Sequence, residues 1–355
     1  MSRVLVGMSG GVDSSVVALL LKEKGYEVVG VTINLWEKNE AKTEKASILV
    51  DAINDARAVA DKLGIEYHVV NFRDVFKEKV IDYFANEYMM GRTPNPCNAC
   101  NRFVKFEALL FEALNTFNCE YIATGHYSKI GYNKETNRYF LRKADTDKKD
   151  QTYALYNLTQ EQLKHTLMPL GEYTKEEVRE IAEKNGLINA KKQDSQEICF
   201  VEDNDYAGFI CTNYDYVPKK GNFVDLEGNI LGEHSGVIYY TIGQRKGLTL
   251  SFGKRMYVVD INVEKNEVVL GEDKDLFSDT LICDDVNFMA IDKLEKEEEY
   301  VVKIRYAATP SPAILIPLED SRIKIVFKTP QRAITRGQAA VFYDGDVVVG
   351  GGTIV

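Results

Sequence analysis

A glycine-rich segment near the start of the chain joins an apolar run to a helical pattern. The apolar run covers residues 4–8, and residues 9–15 read Ser-Gly-Gly-Val-Asp-Ser-Ser. Gly10 and Gly11 allow positive φ and a close approach of the backbone to an anion, while successive N–H groups at the start of a helix attract negative charge. The segment therefore predicts a strand-to-helix turn that binds phosphate, and a nucleotide is the expected ligand.

The side chains of this turn differ from those of a Walker-type phosphate loop. Walker loops need a Lys followed by Ser or Thr, whereas here Asp13 is followed by two serines. The motif resembles the pyrophosphatase loop (SGGxDS, or PP-loop) of enzymes that split ATP between the α- and β-phosphates and attach AMP to a substrate oxygen. This resemblance implies that the serines and glycines hold the departing pyrophosphate and that Asp13 lies beside a Mg²⁺ ion. A plain helix cap is the alternative, but capping does not require two glycines together with three hydroxyls.

Strand and helix patterns alternate over the first two hundred residues, which is typical of an α/β fold with a doubly wound parallel sheet. The expected strands are residues 4–8, 28–35, 67–70 and 121–124, and the expected helices are residues 14–24, 52–63, 76–84, 106–114 and 174–186. Parallel strands place ligands at their carboxyl ends. We therefore expect the first turn, the turn at Gly125 and His126, and the proline-rich loop at residues 91–101 to face one cleft.

The remainder of the chain is rich in short β patterns punctuated by glycine. They include residues 236–242, 256–263, 268–271, 301–306 and 339–343, which alternate like antiparallel strands. We place domain boundaries near residues 203 and 276. This gives a first domain at 1–203 and two smaller β-rich domains at 204–275 and 276–355.

Length and charge limit the expected location and partners. The chain has 355 residues, no N-terminal signal pattern and no apolar stretch of 18 residues, so we expect a soluble, cytoplasmic protein without a membrane partner. The formal net charge of −10 argues against indiscriminate nucleic-acid binding. Contacts with RNA must then come from local basic segments such as residues 241–256 and 328–341.

The six cysteines point to thiol chemistry, because a chain without a secretion signal has little use for a disulfide framework. Cys97 and Cys100 form a CxxC pair on a loop with two prolines, and Cys199 lies a hundred residues further on. The four histidines are scattered, so the chain lacks the paired ligands of a structural zinc site. Thiols beside an ATP-cleaving loop indicate sulfur transfer onto an activated oxygen.

The chain resembles the bacterial tRNA-specific 2-thiouridylase family. The resemblance rests on segments that follow one another over nearly the whole sequence: residues 7–15, 91–96, 100–101, 123–127, 149–151, 194–195, 198–200, 240–248, 305–306 and 337–339. It implies an enzyme that uses ATP to adenylate the C2 oxygen of the wobble uridine of tRNA and then replaces AMP by sulfur. It also implies a PP-loop catalytic domain followed by two tRNA-binding domains, the last a β-barrel.

The resemblance assigns the chemistry to two cysteines. Cys199 would carry the incoming sulfur as a persulfide, and Cys100 would be the partner nucleophile, with a transient Cys100–Cys199 disulfide as one route for sulfur release. Both must act as thiolates, so we expect depressed pKa values. Ordinary buried cysteines are the alternative, which their polar surroundings disfavour.

Binding residues also follow from the resemblance. The implied ATP contacts are Gly7, Met8, Ser9, Gly10, Gly11, Val12, Asp13, Ser14, Ile33 and Gly125. The implied contacts with the target base are Asn95, Pro96 and Cys97, and those with the rest of tRNA are His126, Lys149, Asp150, Gln151, Arg305, Tyr306 and Gln338. Arginine can pair with phosphate and tyrosine can stack on a base, although both are also common on exposed strands. The implied partners are tRNA and a sulfur donor, either a cysteine desulfurase or a persulfide relay protein.

One departure from the family pattern opens an alternative. Many relatives carry Asp where this chain has Cys97, so three thiols could hold a four-iron four-sulfur cluster through Cys97, Cys100 and Cys199, with one iron free to carry sulfide. Arg336, where Pro is common, and residues 249–252 also depart from the pattern. Two other functions remain open: a PP-loop ligase that uses an amine, which would not need the cysteines, and a non-enzymatic RNA-binding protein, which would leave the phosphate loop unexplained.

Overall fold

The computed structural model describes residues 1–35, 44–146, 149–192, 198–248 and 253–355. Its strands are β1 (Arg3–Gly7), β2 (Glu27–Asn34), β3 (Glu66–Asn71), β4 (Tyr121–Ala123), β5 (Lys129–Asn133), β6 (Arg138–Arg142), β7 (Thr166–Leu167), β8 (Gly221–Val224), β9 (Ile230–His234), β10 (Tyr257–Asn262), β11 (Glu267–Gly271), β12 (Phe277–Phe288), β13 (Glu298–Lys303), β14 (Ser311–Pro317), β15 (Ile323–Arg332), β16 (Ala339–Asp344) and β17 (Val347–Ile354). Its α-helices are α1 (Val12–Glu23), α2 (Glu44–Leu63), α3 (Arg73–Phe76), α4 (Tyr83–Met89), α5 (Pro96–Ala99), α6 (Leu109–Asn115), α7 (Gln160–Lys164), α8 (Lys175–Lys184) and α9 (Tyr206–Asn213). The motif at residues 194–195 and the departure at 249–252 lie outside the described residues.

A parallel sheet of five strands organises the first part of the chain, in the order β3-β2-β1-β4-β7. The chain winds outward from β1 in one direction through β2 and β3, and in the other through β4. Ligands bind in the crevice where this direction reverses, at the carboxyl ends of the strands. The sheet confirms the predicted doubly wound fold and places this crevice beyond the ends of β1 and β4.

Both faces of the sheet are covered, as the continuous apolar run of β1 requires. Val4, Leu5 and Val6 are fully buried, and successive side chains of a strand point to opposite faces. Val4 and Val6 belong to a core that includes residues of α1 and α8, whereas Leu5 joins a second core formed with Phe76, Phe84 and other aromatic and aliphatic side chains. The second core extends to the segments that carry the cysteines.

The CxxC pair lies on a helix, so the expectation of a loop there is wrong. Asn95 accepts hydrogen bonds from the backbone N–H groups of Cys97 and Asn98 at 3.1 and 3.4 Å, and Pro96 occupies the first helical turn. An Asn cap followed by proline is a favourable helix start. The helix then runs through α5, a π-helical segment (Cys100–Ala108) and α6 without interruption.

A closed six-stranded barrel forms the carboxyl-terminal region, in the order β12-β15-β14-β13-β16-β17, with β12 pairing to β17. This confirms the expected β-barrel. The hairpin of β5 and β6, which the sequence analysis did not identify, extends the barrel sheet because Leu141 of β6 pairs with Val348 of β17. The barrel is therefore joined by backbone hydrogen bonds to a segment that follows β4.

A smaller sheet, β10-β11-β8-β9, lies between these regions of the chain. Its pairing of β8 with β11 is parallel, which differs from the antiparallel arrangement expected. The predicted strand at residues 236–242 is wrong, because Gly236 packs against Pro218 and the chain then forms a 3-10 turn at Val237–Tyr239. The β-rich region also begins with a helix, α9, which the side chain of Asp205 caps. In the part of the chain that the structure describes, no helix is long and apolar enough to cross a bilayer.

Candidate active site

The phosphate loop lies at the crevice predicted for a ligand, between β1 and the first turn of α1. Gly10 has φ +70°, and the hydroxyl of Ser14 accepts a hydrogen bond from the backbone N–H of Ser9 at 3.1 Å. The hydroxyl of Ser15 donates to the carbonyl of Gly11 at 3.0 Å. The serines therefore hold the loop in shape.

Two glycines are needed because other parts of the chain approach closely. A Cβ atom on Gly10 would lie 2.4 Å from the carbonyl oxygen of Ala52 in α2. A Cβ atom on Gly125, just after β4, would lie 3.0 Å from Cβ of Asp13 and 3.1 Å from the backbone N of Ser14. The first turn and the Gly125 turn therefore meet, as expected from the fold.

Asp13 makes two contacts that the sequence analysis missed. The ammonium of Lys175 lies 2.7 and 2.8 Å from its two carboxylate oxygens, and the hydroxyl of Tyr127 donates to Oδ1 at 2.8 Å. The Lys175 side chain is only 9% exposed. The sequence around Lys175 indicates only the start of a helix, and it gave no signal of the contact with Asp13, which lies 162 residues away.

Asn189 supports the loop from a second direction and was also missed. Its side-chain amide donates to the carbonyls of Gly10 and Gly11, both at 3.1 Å, and to the hydroxyl of Ser15 at 2.8 Å. The Asn189 side chain is buried. Because these carbonyls are engaged by Asn189, the loop is free to present N–H groups toward an anion.

The other predicted ATP residues line the same end of the sheet. Gly7 ends β1. Met8 is buried, and its backbone N–H donates to the carbonyl of Val31 at 2.7 Å. Val12 is buried at the start of α1. Ile33 lies near the carboxyl end of β2, half-buried beside the second core.

The donor set fits a magnesium ion bound together with phosphate. Mg²⁺ prefers oxygen ligands and is commonly held by one or two carboxylates plus substrate phosphates. Asp13 supplies a carboxylate that is 27% exposed, and the same loop holds the hydroxyls of Ser9 and Ser14, which lie 3.4 Å apart. Asp13 is therefore the residue that would hold the metal.

Cys97 and Cys100 lie three residues apart on one helix, which places them on the same face. Cys97 is exposed, Pro96 is buried and Cys100 is half-buried. Burial raises the pKa of the Cys100 thiol above its ordinary value, while the ammonium of Lys105 acts in the opposite direction. The expected depression of the Cys100 pKa is therefore wrong for this structure, because desolvation outweighs the nearby positive charge.

Cys199 is exposed and follows Ile198, which packs on the second core. Phe200 is buried in that core, with its ring 5.2 Å from the ring of Phe84. Cys100 borders the same core, so both cysteine segments are anchored to one hydrophobic unit. Among the described residues, however, no three His, Cys, Asp or Glu side chains are gathered in a way that could hold a metal ion, so the geometry does not support the proposed iron–sulfur cluster.

His126 links the cysteine helix to the phosphate side of the site. Its ring lies 5.7 Å from the ring of Phe106, and its Nδ1 is 2.7 Å from the hydroxyl of Thr124. Burial lowers the pKa of His126 well below its ordinary value, and the positive charge of Lys105 makes a smaller contribution in the same direction. His126 is therefore neutral at pH 7, and its neighbour Gly125 contacts the phosphate loop.

Two segments predicted to bind tRNA meet in the structure. The hydroxyl of Tyr306, a residue that is 50% exposed, lies 3.4 Å from the carbonyl of Asp150. The ammonium of Lys303 sits 5.4 Å from the Tyr306 ring centre and 5.8 Å from that of Tyr153. Burial raises the pKa of the Asp150 carboxyl, and burial lowers the pKa of Lys303. This cluster contains one lysine, Lys303, that the sequence analysis did not select.

The remaining predicted tRNA residues have structural partners. The side chain of Gln151 accepts from the backbone N–H of Tyr127 at 2.9 Å, and the backbone N–H of Lys149 donates to Thr146 at 3.4 Å. The guanidinium of Arg305 donates to the carbonyl of Arg332 at 3.0 Å, and Gln338 donates to the carbonyl of Thr93 at 2.8 Å. Gln338 thus contacts the loop that precedes Asn95.

Several basic residues of the carboxyl-terminal half are paired with acidic residues from other segments of the chain. The pairs are Lys254 with Glu272, Lys328 with Glu299, Arg332 with Asp273, and Arg336 with Asp260, at 2.6 to 3.5 Å. Counting basic residues in a sequence window therefore overstated the local positive charge.

Comparison with known proteins identifies the family of the chain. Residues 2–203 match a family model described as tRNA methyl transferase HUP domain, residues 210–272 a tRNA methyl transferase PRC-barrel domain, and residues 278–354 an aminomethyltransferase beta-barrel domain. The chain is 57% identical to the tRNA-specific 2-thiouridylase MnmA of Acetivibrio thermocellus, over 99% of each chain. It is 56% identical to that of Clostridioides difficile, over 99% of this chain and 98% of the relative. These matches confirm the resemblance found in the sequence: the chain belongs to the tRNA-specific 2-thiouridylase MnmA family.

Proposed function

We propose that the chain is a tRNA-uridine 2-sulfurtransferase that converts the wobble uridine of tRNA to 2-thiouridine at the expense of ATP. The observation that carries the proposal is the contact of the cysteine helix with the Gly125–His126 turn. That turn touches the phosphate loop on one side, at Asp13, and the helix of Cys100 on the other, through Phe106. A nucleotide and a thiol can therefore both reach the same carbonyl group of a bound uridine.

The nucleotide side of the site activates the base. The C2 oxygen of uridine attacks the α-phosphorus of ATP, the bond to the β-phosphate oxygen breaks, and pyrophosphate leaves. Backbone N–H groups of residues 9–15 and the N-terminus of α1 bind the departing anion. Asp13 would hold Mg²⁺, which neutralises phosphate charge when it is bound.

The sulfur side of the site completes the exchange. The terminal sulfur of a Cys199 persulfide attacks C2, and AMP departs with the former C2 oxygen. The Cys100 thiolate then attacks the Cys199 sulfur, which forms a Cys100–Cys199 disulfide and leaves the second sulfur on C2. An external thiol reductant must reduce this disulfide before the next turnover, and a persulfide donor protein must reload Cys199.

The contacts with tRNA are also part of the proposal. Asn95, Pro96 and Cys97 are next to Cys100 and are assigned to the target base. Lys149–Gln151 and Tyr306 form a shared surface that reaches from the end of β4 to the barrel. We assign residues 1–203 to catalysis, and residues 204–275 and 276–355 to tRNA binding.

Nucleoside analysis by mass spectrometry tests the proposal. Purified protein is incubated with tRNA, MgATP, a persulfide source and reductant, and 2-thiouridine, AMP and pyrophosphate are quantified. We expect equal amounts of the three products from the native protein. Cys100→Ser and Cys199→Ser should abolish thiolation, whereas Cys211→Ser, on α9 and packed on the core of the small sheet, should retain it.

The open alternatives give different results in the same assay. A ligase that uses an amine would release AMP and pyrophosphate without 2-thiouridine and would tolerate both serine variants. A non-enzymatic RNA-binding protein would bind tRNA without releasing pyrophosphate. The purified protein would contain iron and sulfide if the sulfur were carried on a cluster, and Cys97→Ala would lose both together with the activity. That result would support the cluster mechanism over the persulfide mechanism.

A further inference from the structure

We propose that Lys175 is the phosphate-binding cation of this site and that it contacts the β- and γ-phosphates of ATP and the pyrophosphate product. The inference rests on the proposed use of ATP and adds a residue to it. Lys175 lies outside the loop and reaches it from the first turn of α8. Its position is defined by the ion pair with Asp13.

The loop itself supplies no cation. Residues 9–15 contain neither Lys nor Arg, although a phosphate loop of the Walker type carries a lysine that reaches the β- and γ-phosphates. Backbone N–H groups and the dipole of α1 contribute only partial charges. Any positively charged side chain that joins Mg²⁺ in neutralising the triphosphate must therefore come from outside the loop.

The ammonium of Lys175 is already at the required place. It lies 2.7 and 2.8 Å from the two oxygens of Asp13, and Asp13 is the second residue of α1. The Gly125 turn, which ends the other strand of the crevice, approaches to 3.0 Å from the Asp13 side chain. The ammonium is thus located at the junction of the phosphate loop and this turn.

The burial of Lys175 argues that its charge has a purpose. Lysine is almost never fully buried unless it is paired, and removing two charges from water often costs as much as their attraction returns. A lysine that served only to stabilise α8 could reach solvent from the first turn. Here Asp13 keeps the ammonium in place before the nucleotide binds, so little ordering is needed when the phosphates arrive.

Binding measurements on the full-length protein test this role. Dissociation constants for inorganic pyrophosphate, ATP and AMP are measured by calorimetry, with and without Mg²⁺, for the native protein and for Lys175→Met, Lys175→Gln and Lys175→Arg. One charge-assisted hydrogen bond corresponds to a loss of about 10- to 100-fold in affinity. We expect that loss for pyrophosphate and ATP in the two uncharged variants, a smaller loss in the arginine variant, and unchanged affinity for AMP.

Controls separate this role from a structural one. Lys129→Met removes a half-buried lysine that is paired with Asp145 outside the loop, and should leave pyrophosphate affinity unchanged. Thermal melting identifies which Lys175 variants fold, and the comparison uses those. The inference would be overturned if the folded uncharged variants bound pyrophosphate as tightly as the native protein, or if they lost equal affinity for AMP and pyrophosphate. In both cases, binding of ATP by the native protein would still support the proposed use of ATP. Failure of the native protein to bind either ATP or pyrophosphate would overturn the proposed function as well.

Discussion

The clearest test of the phosphate loop is the substitution Gly10→Ala. Gly10 has φ +70°, and an added Cβ atom would lie 2.4 Å from the carbonyl oxygen and 2.8 Å from Cα of Ala52. An ordinary contact begins at 3.4 Å, so the loop and α2 must separate by 3.4 − 2.4 = 1.0 Å. Both colliding atoms belong to the backbone and cannot rotate away.

The magnitude follows from two separable costs. A left-handed conformation costs an alanine roughly 1–2 kcal/mol, and overpacking adds about 1–3 kcal/mol. Gly25→Ala is a matched control, because Gly25 has φ +85° and an added Cβ atom meets nothing within 4 Å. Gly25→Ala should therefore show only the first cost and Gly10→Ala both.

Two assays check this reasoning. Denaturant unfolding should show a loss of about 1–2 kcal/mol for Gly25→Ala and about 2–5 kcal/mol for Gly10→Ala. ATP titration should show normal affinity for Gly25→Ala and a loss of about 10- to 100-fold for Gly10→Ala, which corresponds to one misplaced charge-assisted hydrogen bond. Equal stability losses in the two variants, or normal ATP affinity in Gly10→Ala, would refute the argument.

Three further predictions concern the cysteine helix and the histidines. Asn95→Ala removes the helix cap and should cost about 1 kcal/mol of unfolding free energy and most of the thiolation rate, whereas Thr159→Ala, which removes the cap of α7, should cost similar stability and retain the rate. The raised pKa of Cys100 predicts that its alkylation in ligand-free protein keeps accelerating above pH 9, followed by peptide mass spectrometry; a plateau near pH 8 would contradict this. Burial lowers the pKa of His126 and His234, so the unfolded chain binds more protons than the folded protein below about pH 6.5. The free energy of unfolding should therefore decrease as the pH falls, by up to roughly 1.4 kcal/mol per pH unit for each histidine. His234→Gln should reduce that slope in denaturant unfolding between pH 7.5 and 5.5; an unchanged slope would contradict the assignment.

Local patterns in the sequence predicted four of the five strands of the parallel sheet and missed the two-residue strand β7. The apolar run at residues 4–8 predicts a strand buried on both faces, and Val4, Leu5 and Val6 are fully buried. The glycines of the loop are explained by neighbours that the sequence could not identify, because the carbonyl of Ala52 approaches Gly10 only in the folded chain. The requirement for glycine was visible, but its steric partner was not.

The helix of the CxxC pair shows how two signals can compete. Prolines at residues 94 and 96 are typical of a loop, yet a proline directly after an Asn cap is typical of a helix start. The structure follows the second reading, since the Asn95 side chain accepts from the N–H groups of Cys97 and Asn98. The difference matters chemically, because a helix fixes the spacing of the two thiols.

Residues that act across long sequence separations gave no local signal. Lys175 belongs to a capping-box helix and Asn189 to an irregular segment, and both reach the phosphate loop only through tertiary packing. The predicted decrease of the Cys100 pKa was wrong for the same reason, because the burial that raises this pKa is a property of the fold. Residue types and spacing identify the reacting groups, whereas the groups that position them depend on three-dimensional contacts.

The contacts between the cysteine helix and the barrel have a further consequence. Thr93 donates to the carbonyl of Arg336 and accepts from Gln338, both at 2.8 Å, while Arg102, two residues after Cys100, forms a two-point ion pair with Asp285 of β12. The loop before the helix and the helix itself are therefore both attached to the barrel. These contacts fix the position of Cys100 relative to the barrel. Because exposed ion pairs contribute at most about 1 kcal/mol, this attachment depends mainly on the hydrogen bonds of Thr93 and on the second core, which contains both Ala99 of the helix and Ala339 of the barrel.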